Sequence, residues 1–139
     1  MKITIGSDHA GVEYKTQIID FLEKNNHKTL DVGTYSTESV DYPDYAHLVA
    51  KEVAVGADFG VLICGSGNGV SMAANKHKKI RAALCWNKDI TKLARQHNNA
   101  NIISLPARFL SINECIELIK IFLTEPFEGG RHSKRVEKI

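Results

Sequence analysis

The chain has 139 residues, of which 43% are hydrophobic and 24% are charged, and its formal net charge at pH 7 is +2. This length suits one domain with its own core, and we expect residues 1–139 to form a single domain. So small a net charge gives no reason to expect nucleic acid or a membrane as a partner. No apolar run approaches the ~20 residues of a membrane-spanning helix, and residues 2–6 already have a strand pattern, which leaves no room for a signal peptide.

The three cysteines, Cys64, Cys85 and Cys115, are odd in number and far apart. None of them has the C-x-x-C spacing that is typical of a zinc site, so we expect no structural metal. Without a secretory signal they are expected to be reduced thiols, and the protein is expected to be cytoplasmic.

Strand and helix patterns alternate along the chain. The predicted strands are residues 2–6, 29–33, 59–63, 80–86 and 100–105. The predicted helices are residues 12–25, 45–55, 70–76, 88–97 and 111–123. The first helix is amphipathic, with Ile18 and Leu22 on its apolar face and Lys15 assigned to its polar face. The last begins with a capping box of Ser111 and Glu114.

Strands that alternate with helices pair in parallel through right-handed crossovers. We therefore predict an α/β three-layer sandwich, a Rossmann-like doubly wound parallel sheet of about five strands. In such sheets ligands bind beyond the carboxyl ends of the strands. The predicted turns at that edge are residues 7–9, 33–34, 64–69 and 87–88.

The turn with the most chemical content is Cys64-Gly65-Ser66-Gly67-Asn68-Gly69, between a buried strand and a short helix. It is neither the G-x-G-x-x-G dinucleotide fingerprint nor a P-loop. The glycines could simply permit a tight turn, but three in five residues exceed what a turn needs. We favour a loop whose backbone N–H groups stabilise an anion.

Each candidate side chain at the sheet edge also has a purely structural interpretation. Free cysteines are usually buried, but Cys64 ends its strand beside a helix N-terminus and could serve as nucleophile or general base. Cys85 and Cys115 are expected to be buried. Asp8 could cap a helix or take part in catalysis, and for His9 we favour contact with a ligand.

Two further features lie near the ends of predicted helices. His97 closes the fourth helix, and from the residues alone a helix-end histidine followed by an asparagine cap is the preferred interpretation. The tail is most simply a solvated end. However, Arg131 and Arg135 are four residues apart, so one helical turn would present both guanidiniums to a phosphate.

Seven motifs together resemble ribose-5-phosphate isomerase type B, in the ribose/galactose isomerase superfamily, over essentially the whole chain. They are SDHAG at 7–11, DVGT at 31–34, DYPDYA at 41–46, CGSGNG at 64–69, AANK at 73–76, RQHNNAN at 95–101 and EGGRH at 128–132. The resemblance implies that Cys64 is the base that moves a proton between C1 and C2 of a sugar phosphate and that His97 opens the furanose ring. It also implies a set of substrate contacts: Asp8, His9, Gly65, Ser66, Gly67, Asn68, Gly69, Asn98, Arg108, Arg131 and Arg135.

The implied activity is aldose–ketose isomerisation of ribose 5-phosphate and ribulose 5-phosphate, a pentose phosphate pathway reaction, through an enediolate. Ser66 and the loop amides would stabilise that enediolate. No metal or other cofactor is expected. The resemblance implies a homodimer or homotetramer with its sites at the subunit interface.

Some relatives carry a glutamate base where this chain has Val70, and galactose-6-phosphate isomerase subunits divide the catalytic residues between two different chains. The presence of both Cys64 and His97 here favours the self-sufficient ribose-5-phosphate enzyme. Two alternatives remain. One is an isomerase of six-carbon sugar phosphates such as allose or galactose 6-phosphate. The other is a non-catalytic nucleotide- or phosphate-binding module.

Overall fold

The computed structural model describes all 139 residues and contains one five-stranded sheet. All neighbouring strands pair in parallel, in the order β2-β1-β3-β5-β4, which confirms the predicted doubly wound sheet. The last strand along the chain therefore lies between β3 and β4. The strands are β1 Lys2–Ser7, β2 Lys28–Asp31, β3 Phe59–Cys64, β4 Ala82–Leu84 and β5 Ile102–Pro106.

Six helices cover the two faces of the sheet or follow it. They are α1 Val12–Lys24, α2 Tyr42–Val55, α3 Asn68–Ala74, α4 Lys88–Asn98, α5 Ile112–Thr124 and α6 Ser133–Val136, with short 3-10 turns at His9–Gly11 and Gly130–His132. Buried side chains of α1, α4 and α5 pack on one face, and those of α2 and α3 pack on the other. This arrangement gives the predicted three layers. None of the helices has the length and apolar content needed to cross a membrane.

The element boundaries differ from the predicted ones mainly at β4 and α2. The strand β4 has three residues instead of the predicted seven. At its start, two backbone N–H groups donate to asparagine side chains instead of to a neighbouring strand. The Arg81 and Ala82 N–H groups donate to Oδ1 of Asn101 and of Asn75 at 2.8 and 2.7 Å. Helix α2 begins at Tyr42 rather than at residue 45 because Pro43 fits the first turn of a helix.

The position of the site follows from where the connections leave the sheet. After β1 the chain continues into α1 on one face, after β3 into α3 on the opposite face, and after β5 into α5 on the first face. The end of β3 therefore lies between two strands whose connections turn away from it. Such reversals leave a crevice at the carboxyl edge of a parallel sheet, and the glycine loop lies in it.

Candidate active site

The glycine loop holds the Cys64 thiol inside the crevice. Cys64 is the last residue of β3 and is 5% exposed. Its Sγ atom accepts a hydrogen bond from the Gly67 N–H at 3.1 Å. Gly67 has φ +75°, and a Cβ atom there would lie 2.4 Å from Cδ1 of Leu84. Only glycine fits this close turn, which aims a backbone donor at the sulfur.

The other two loop glycines leave room for the walls of a cleft. A Cβ atom at Gly65 would lie 3.2 Å from the Arg108 guanidinium carbon, and one at Gly69 would lie 2.5 Å from the Tyr42 ring. Without these methyl groups, the arginine and the tyrosine close over the loop. The cleft has a volume of about 350 Å³ and is lined by Asp8, Tyr42, Cys64, Gly65, Ser66, Gly69, Arg108 and Phe109.

The turn after β1 contributes Asp8 and His9 to this edge. The Asp8 carboxylate accepts a hydrogen bond from the Ala10 N–H at 2.9 Å, and it also lines the cleft. The capping and ligand-binding interpretations of Asp8 are therefore compatible. Nδ1 of His9 lies 3.3 Å from the Val40 N–H and accepts its hydrogen bond. A neutral His9 ring thus carries its proton on Nε2, which is then able to donate to a ligand.

An ion pair between a buried lysine and a partly exposed aspartate supports this turn, and it was not predicted from the sequence. Lys15 is 2% exposed and pairs with Asp31, whose Oδ1 accepts the Gly33 N–H at 2.9 Å. The Gly33 carbonyl in turn accepts the Ser7 N–H at 2.8 Å, one residue before Asp8. The prediction that Lys15 lies on the polar face of α1 was wrong.

The signal that would have located Lys15 is its helical spacing. It lies three residues before Ile18 and seven before Leu22, both fully buried, and so shares their face of α1. A buried lysine requires a carboxylate partner, and the partly exposed Asp31 at the end of β2 supplies it.

A second group of predicted residues, His97, Asn98, Arg131 and Arg135, lies at the opposite edge of the sheet. Helix α4 leaves the carboxyl end of β4 and runs back for 11 residues, about 16 Å, to the amino end of β5. His97 and Asn98 end that helix, and the predicted asparagine cap is confirmed at Asn99. The tail is joined to the same end, since the Glu128 N–H donates to the Gln96 carbonyl at 3.0 Å. One chain therefore does not bring these residues to Cys64.

His97 forms a compact cluster with two residues that sequence reasoning did not single out. Its ring stacks on that of His132 at a centroid distance of 4.1 Å and an interplanar angle of 11°. The Nε2 atoms of His97 and His132 lie 3.8 and 3.7 Å from one Oε2 atom of Glu128. Burial, followed by the nearby charges of His97 and Arg131, lowers the pKa of His132. The sequence signal that could have predicted this cluster is the four-residue spacing of Glu128 and His132.

The tail arginines form an open basic surface. Arg131 and Arg135 line a shallow hollow with Gly130, Lys134 and Lys138. Neither arginine forms a salt bridge, although Nη1 of Arg135 donates to the Arg131 carbonyl at 3.0 Å. Arg131 and Arg135 share one face as predicted, because a 3-10 turn and α6 together supply the helical turn between them.

The fourth predicted turn, residues 87–88, does not join the cleft. Oδ1 of Asn87 accepts the Ile90 N–H at 2.8 Å and caps α4. Asn87 and Lys88 instead line a separate hollow of about 310 Å³ beside Trp86. The physical reason is the strand order, since β5 separates the end of β4 from the end of β3.

Comparison with known proteins identifies the family of this chain. The sequence model of the Ribose/Galactose Isomerase family matches residues 3–139. The chain belongs to the ribose/galactose isomerase family. The probable ribose-5-phosphate isomerase B of Mycoplasma pneumoniae is 47% identical over 139 residues, which cover 99% of this chain and 91% of that protein.

Solved structures of this isomerase family share the fold. Ribose-5-phosphate isomerase B of Clostridium thermocellum matches with a TM-score of 0.98 and 46% identity, over 99% of this chain and 94% of that one. The enzyme from Mycoplasma genitalium, solved with bound ribulose 5-phosphate, matches with a TM-score of 0.94 and 44% identity, over 99% and 92% of the two chains.

The cysteines of this isomerase-family chain differ in their surroundings. All three are free thiols. Cys85 and Cys115 are fully buried in the apolar core, as predicted, and burial raises the pKa of each thiol to about 11. Cys64 alone lines the cleft. The structure thus distinguishes one thiol that can meet a ligand from two that fill the core.

Proposed function

We propose that this protein interconverts ribose 5-phosphate and ribulose 5-phosphate, with Cys64 as the base. The observation that carries the proposal is the Cys64 thiol, held by the Gly67 N–H in a cleft lined by loop glycines, Ser66 and Arg108. The relative from Mycoplasma genitalium, solved with ribulose 5-phosphate, supports the choice of a five-carbon substrate. A binding module has no need of a thiol at this point.

The chemistry requires one base that reaches two adjacent carbons. The Cys64 thiolate removes the proton from C2 of the open-chain aldose. The C–H electron pair forms the C1=C2 double bond, and the carbonyl electrons become an oxyanion on O1. The thiol then returns its proton to C1 while the O2 proton passes to O1, which leaves a carbonyl at C2. No atom is gained or lost.

The loop supplies the donors that the enediolate needs. Gly65, Ser66 and Gly69 of the loop line the space beside Cys64, and the Ser66 side chain is exposed to it. A well-placed donor to a developing oxyanion contributes roughly 3–4 kcal/mol to transition-state stabilisation. Asp8 lines the same cleft and His9 follows it in the turn, and we assign both to binding the sugar hydroxyls.

The remaining residues reach the cleft from a second copy of the chain. His97, Asn98, Arg131 and Arg135 lie at the edge of the sheet opposite Cys64, so they cannot serve the cleft of their own subunit. We therefore propose a homodimer, or a homotetramer built from it, in which the amino edge of one subunit covers the carboxyl edge of its partner. His97 would then open the furanose ring, and the arginines would bind the phosphate.

The cellular setting is also part of the proposal. Three free thiols, one of them needed as a base, suit the reducing cytoplasm. Interconversion of these two pentose phosphates belongs to the pentose phosphate pathway.

A coupled isomerase assay tests the proposal directly. The purified protein is given ribose 5-phosphate, allose 6-phosphate and galactose 6-phosphate, and ketose formation is followed for each. We expect the highest kcat/KM for ribose 5-phosphate. A higher value for either six-carbon substrate would reassign the enzyme, and binding without turnover of any of the three would favour the non-catalytic alternative.

A further inference from the structure

Two histidines and a glutamate converge at the amino edge of the sheet. The Nε2 atoms of His97 and His132 face a single Oε2 atom of Glu128, and all three donor atoms lie within 4.8 Å of one another. Two imidazoles and one carboxylate form the ligand set of many zinc sites that keep a position open for water. Imidazole nitrogen also favours Zn²⁺, Co²⁺ and Ni²⁺ over Mg²⁺ or Ca²⁺.

The separations suit a shared ion better than direct hydrogen bonds. The distances from Glu128 Oε2 to the two Nε2 atoms, 3.8 and 3.7 Å, exceed the ~2.7–3.2 Å of a good N–H···O bond. Two ligand atoms bound tetrahedrally to one zinc ion at about 2.05 Å lie ~3.3 Å apart. A closure of roughly 0.5 Å would bring Glu128 Oε2 to the zinc-ligand separation from each Nε2, and Glu128 can move because its side chain is 51% exposed. The stacked rings of His97 and His132 would also tilt apart, so that both Nε2 lone pairs point at the ion.

Hydrogen bonds around the cluster join the tail to helix α4. The Glu128 N–H donates to the Gln96 carbonyl, and the Gln96 side-chain amide donates to Oε1 of Glu125 at 2.6 Å. Nε of the buried Arg95 donates to the Glu125 carbonyl at 3.2 Å. These bonds fix the tail against the end of α4.

We propose that His97, Glu128 and His132 bind a single Zn²⁺-class ion, with water completing the coordination. Three protein ligands bind more weakly than the four of a structural site, and Arg131 and Arg135 add nearby positive charge. The isomerisation itself needs no metal. The bound ion would occupy Nε2 of His97 and so block the ring opening assigned to it. This inhibition rests on the proposed function, whereas the metal site itself does not.

The binding test uses the full chain with Cys64→Ala, which removes the accessible thiol as a competing ligand. Zn²⁺ is titrated by calorimetry, and Co²⁺ is followed by its visible absorption. We expect one ion per chain. Glu128→Gln and His132→Gln should each weaken binding by at least ~10-fold. The matched control is His47→Gln, because His47 belongs to the other close histidine pair, with Nδ1 2.9 Å from Nε2 of His77.

The outcomes separate clearly. Equal affinity in Glu128→Gln and in the parent would overturn the site, as would loss of binding in the His47 variant alone. If His132→Gln fails to fold, the cobalt spectrum of the Cys64→Ala protein still decides. A spectrum of nitrogen and oxygen ligation supports the site, whereas a sulfur-to-cobalt charge-transfer band at one equivalent overturns it.

An activity measurement then connects the ion to the reaction. Zn²⁺ should inhibit isomerisation with the constant found by calorimetry, chelation should reverse the inhibition, and Glu128→Gln should raise the inhibitory constant by at least ~10-fold. Zinc binding without inhibition would support the metal site and contradict the role given to His97. The two proposals therefore fail in different ways.

Discussion

At the carboxyl edge of the sheet, Cys64 is 5% exposed, its sulfur accepts a backbone hydrogen bond, and the loop glycines are packed against neighbouring side chains. At the amino edge, Arg131 and Arg135 are exposed and form no salt bridge. In the first region the chain's own residues enclose the Cys64 thiol, whereas in the second the arginine side chains are open to solvent. The thiol assigned to proton abstraction is buried and hydrogen-bonded within the chain, and the arginines assigned to the phosphate are exposed.

The largest expected effect is at the buried edge. Cys64→Ala should reduce kcat by at least ~10³-fold while leaving the fold and phosphate binding intact, since it removes the only thiol in the cleft. Steady-state kinetics and circular dichroism provide the measurement. Cys85→Ala and Cys115→Ala are the controls. Each should lower the free energy of unfolding by roughly 1–2 kcal/mol and change kcat little. Substantial turnover by Cys64→Ala would assign the base to another residue.

The next effect tests whether the two edges meet between subunits. In the proposed homodimer, the His97→Ala and Cys64→Ala variants should each be nearly inactive. Mixing them under subunit exchange should restore activity at about a quarter of the sites, because half of the dimers are then mixed and each contains one complete site. The recovered rate is compared with the exchange measured by mass spectrometry. Verified exchange without recovery would rule out a shared site.

Substitutions of the arginines at the amino edge should mainly change KM. Arg131→Ala and Arg135→Ala should each raise KM for ribose 5-phosphate by about 10–100-fold, because each removes a charge-assisted bond to the phosphate. Arginine-to-lysine changes should rescue only in part, since an ammonium group cannot bind two oxygens side by side. Inorganic phosphate should inhibit the parent competitively and both variants weakly. If KM is unchanged in both alanine variants, Arg108 is the next phosphate ligand to test.

The smallest effect contrasts two glycines. Gly67 and Gly130 have φ values of +75° and +55°, but a Cβ atom at Gly67 would meet Leu84, whereas at Gly130 nothing lies within 4 Å. Gly67→Ala should lower the free energy of unfolding by about 3 kcal/mol, and Gly130→Ala by about 1 kcal/mol. Urea denaturation measures both. Equal losses would show that the glycine loop is no more tightly packed than the tail.

The sequence predicted what depends on local pattern. Apolar runs bounded by glycine or polar turns identified all five strands, and the loop from Cys64 to Gly69 followed from its place after one of them. The predicted capping box of Ser111 and Glu114 is present, because its bonds join residues three apart. Features of this kind require no knowledge of how distant segments pack.

What escaped prediction depends on distant contacts. The position of β5 between β3 and β4 is set by packing across the whole sheet, so the separation of Asn87 from the cleft could not be foreseen. Lys15 is buried because Asp31, on a different element, pairs with it. The stacking of His97 on His132 joins residues 35 positions apart in the sequence. Periodicity within one element does not predict contacts between residues of different elements.

The place of β5 in the sheet also constrains the order of folding during synthesis. Strand β4 pairs only with β5, which in turn pairs with β3. Residues 82–84 leave the ribosome before residues 102–106, so the nascent β4 has no partner strand, and the outer N–H and C=O groups of β3 stay unpaired. An open strand edge is a template for aggregation. Nascent chains that stop before residue 102 are therefore the species most in need of chaperone protection.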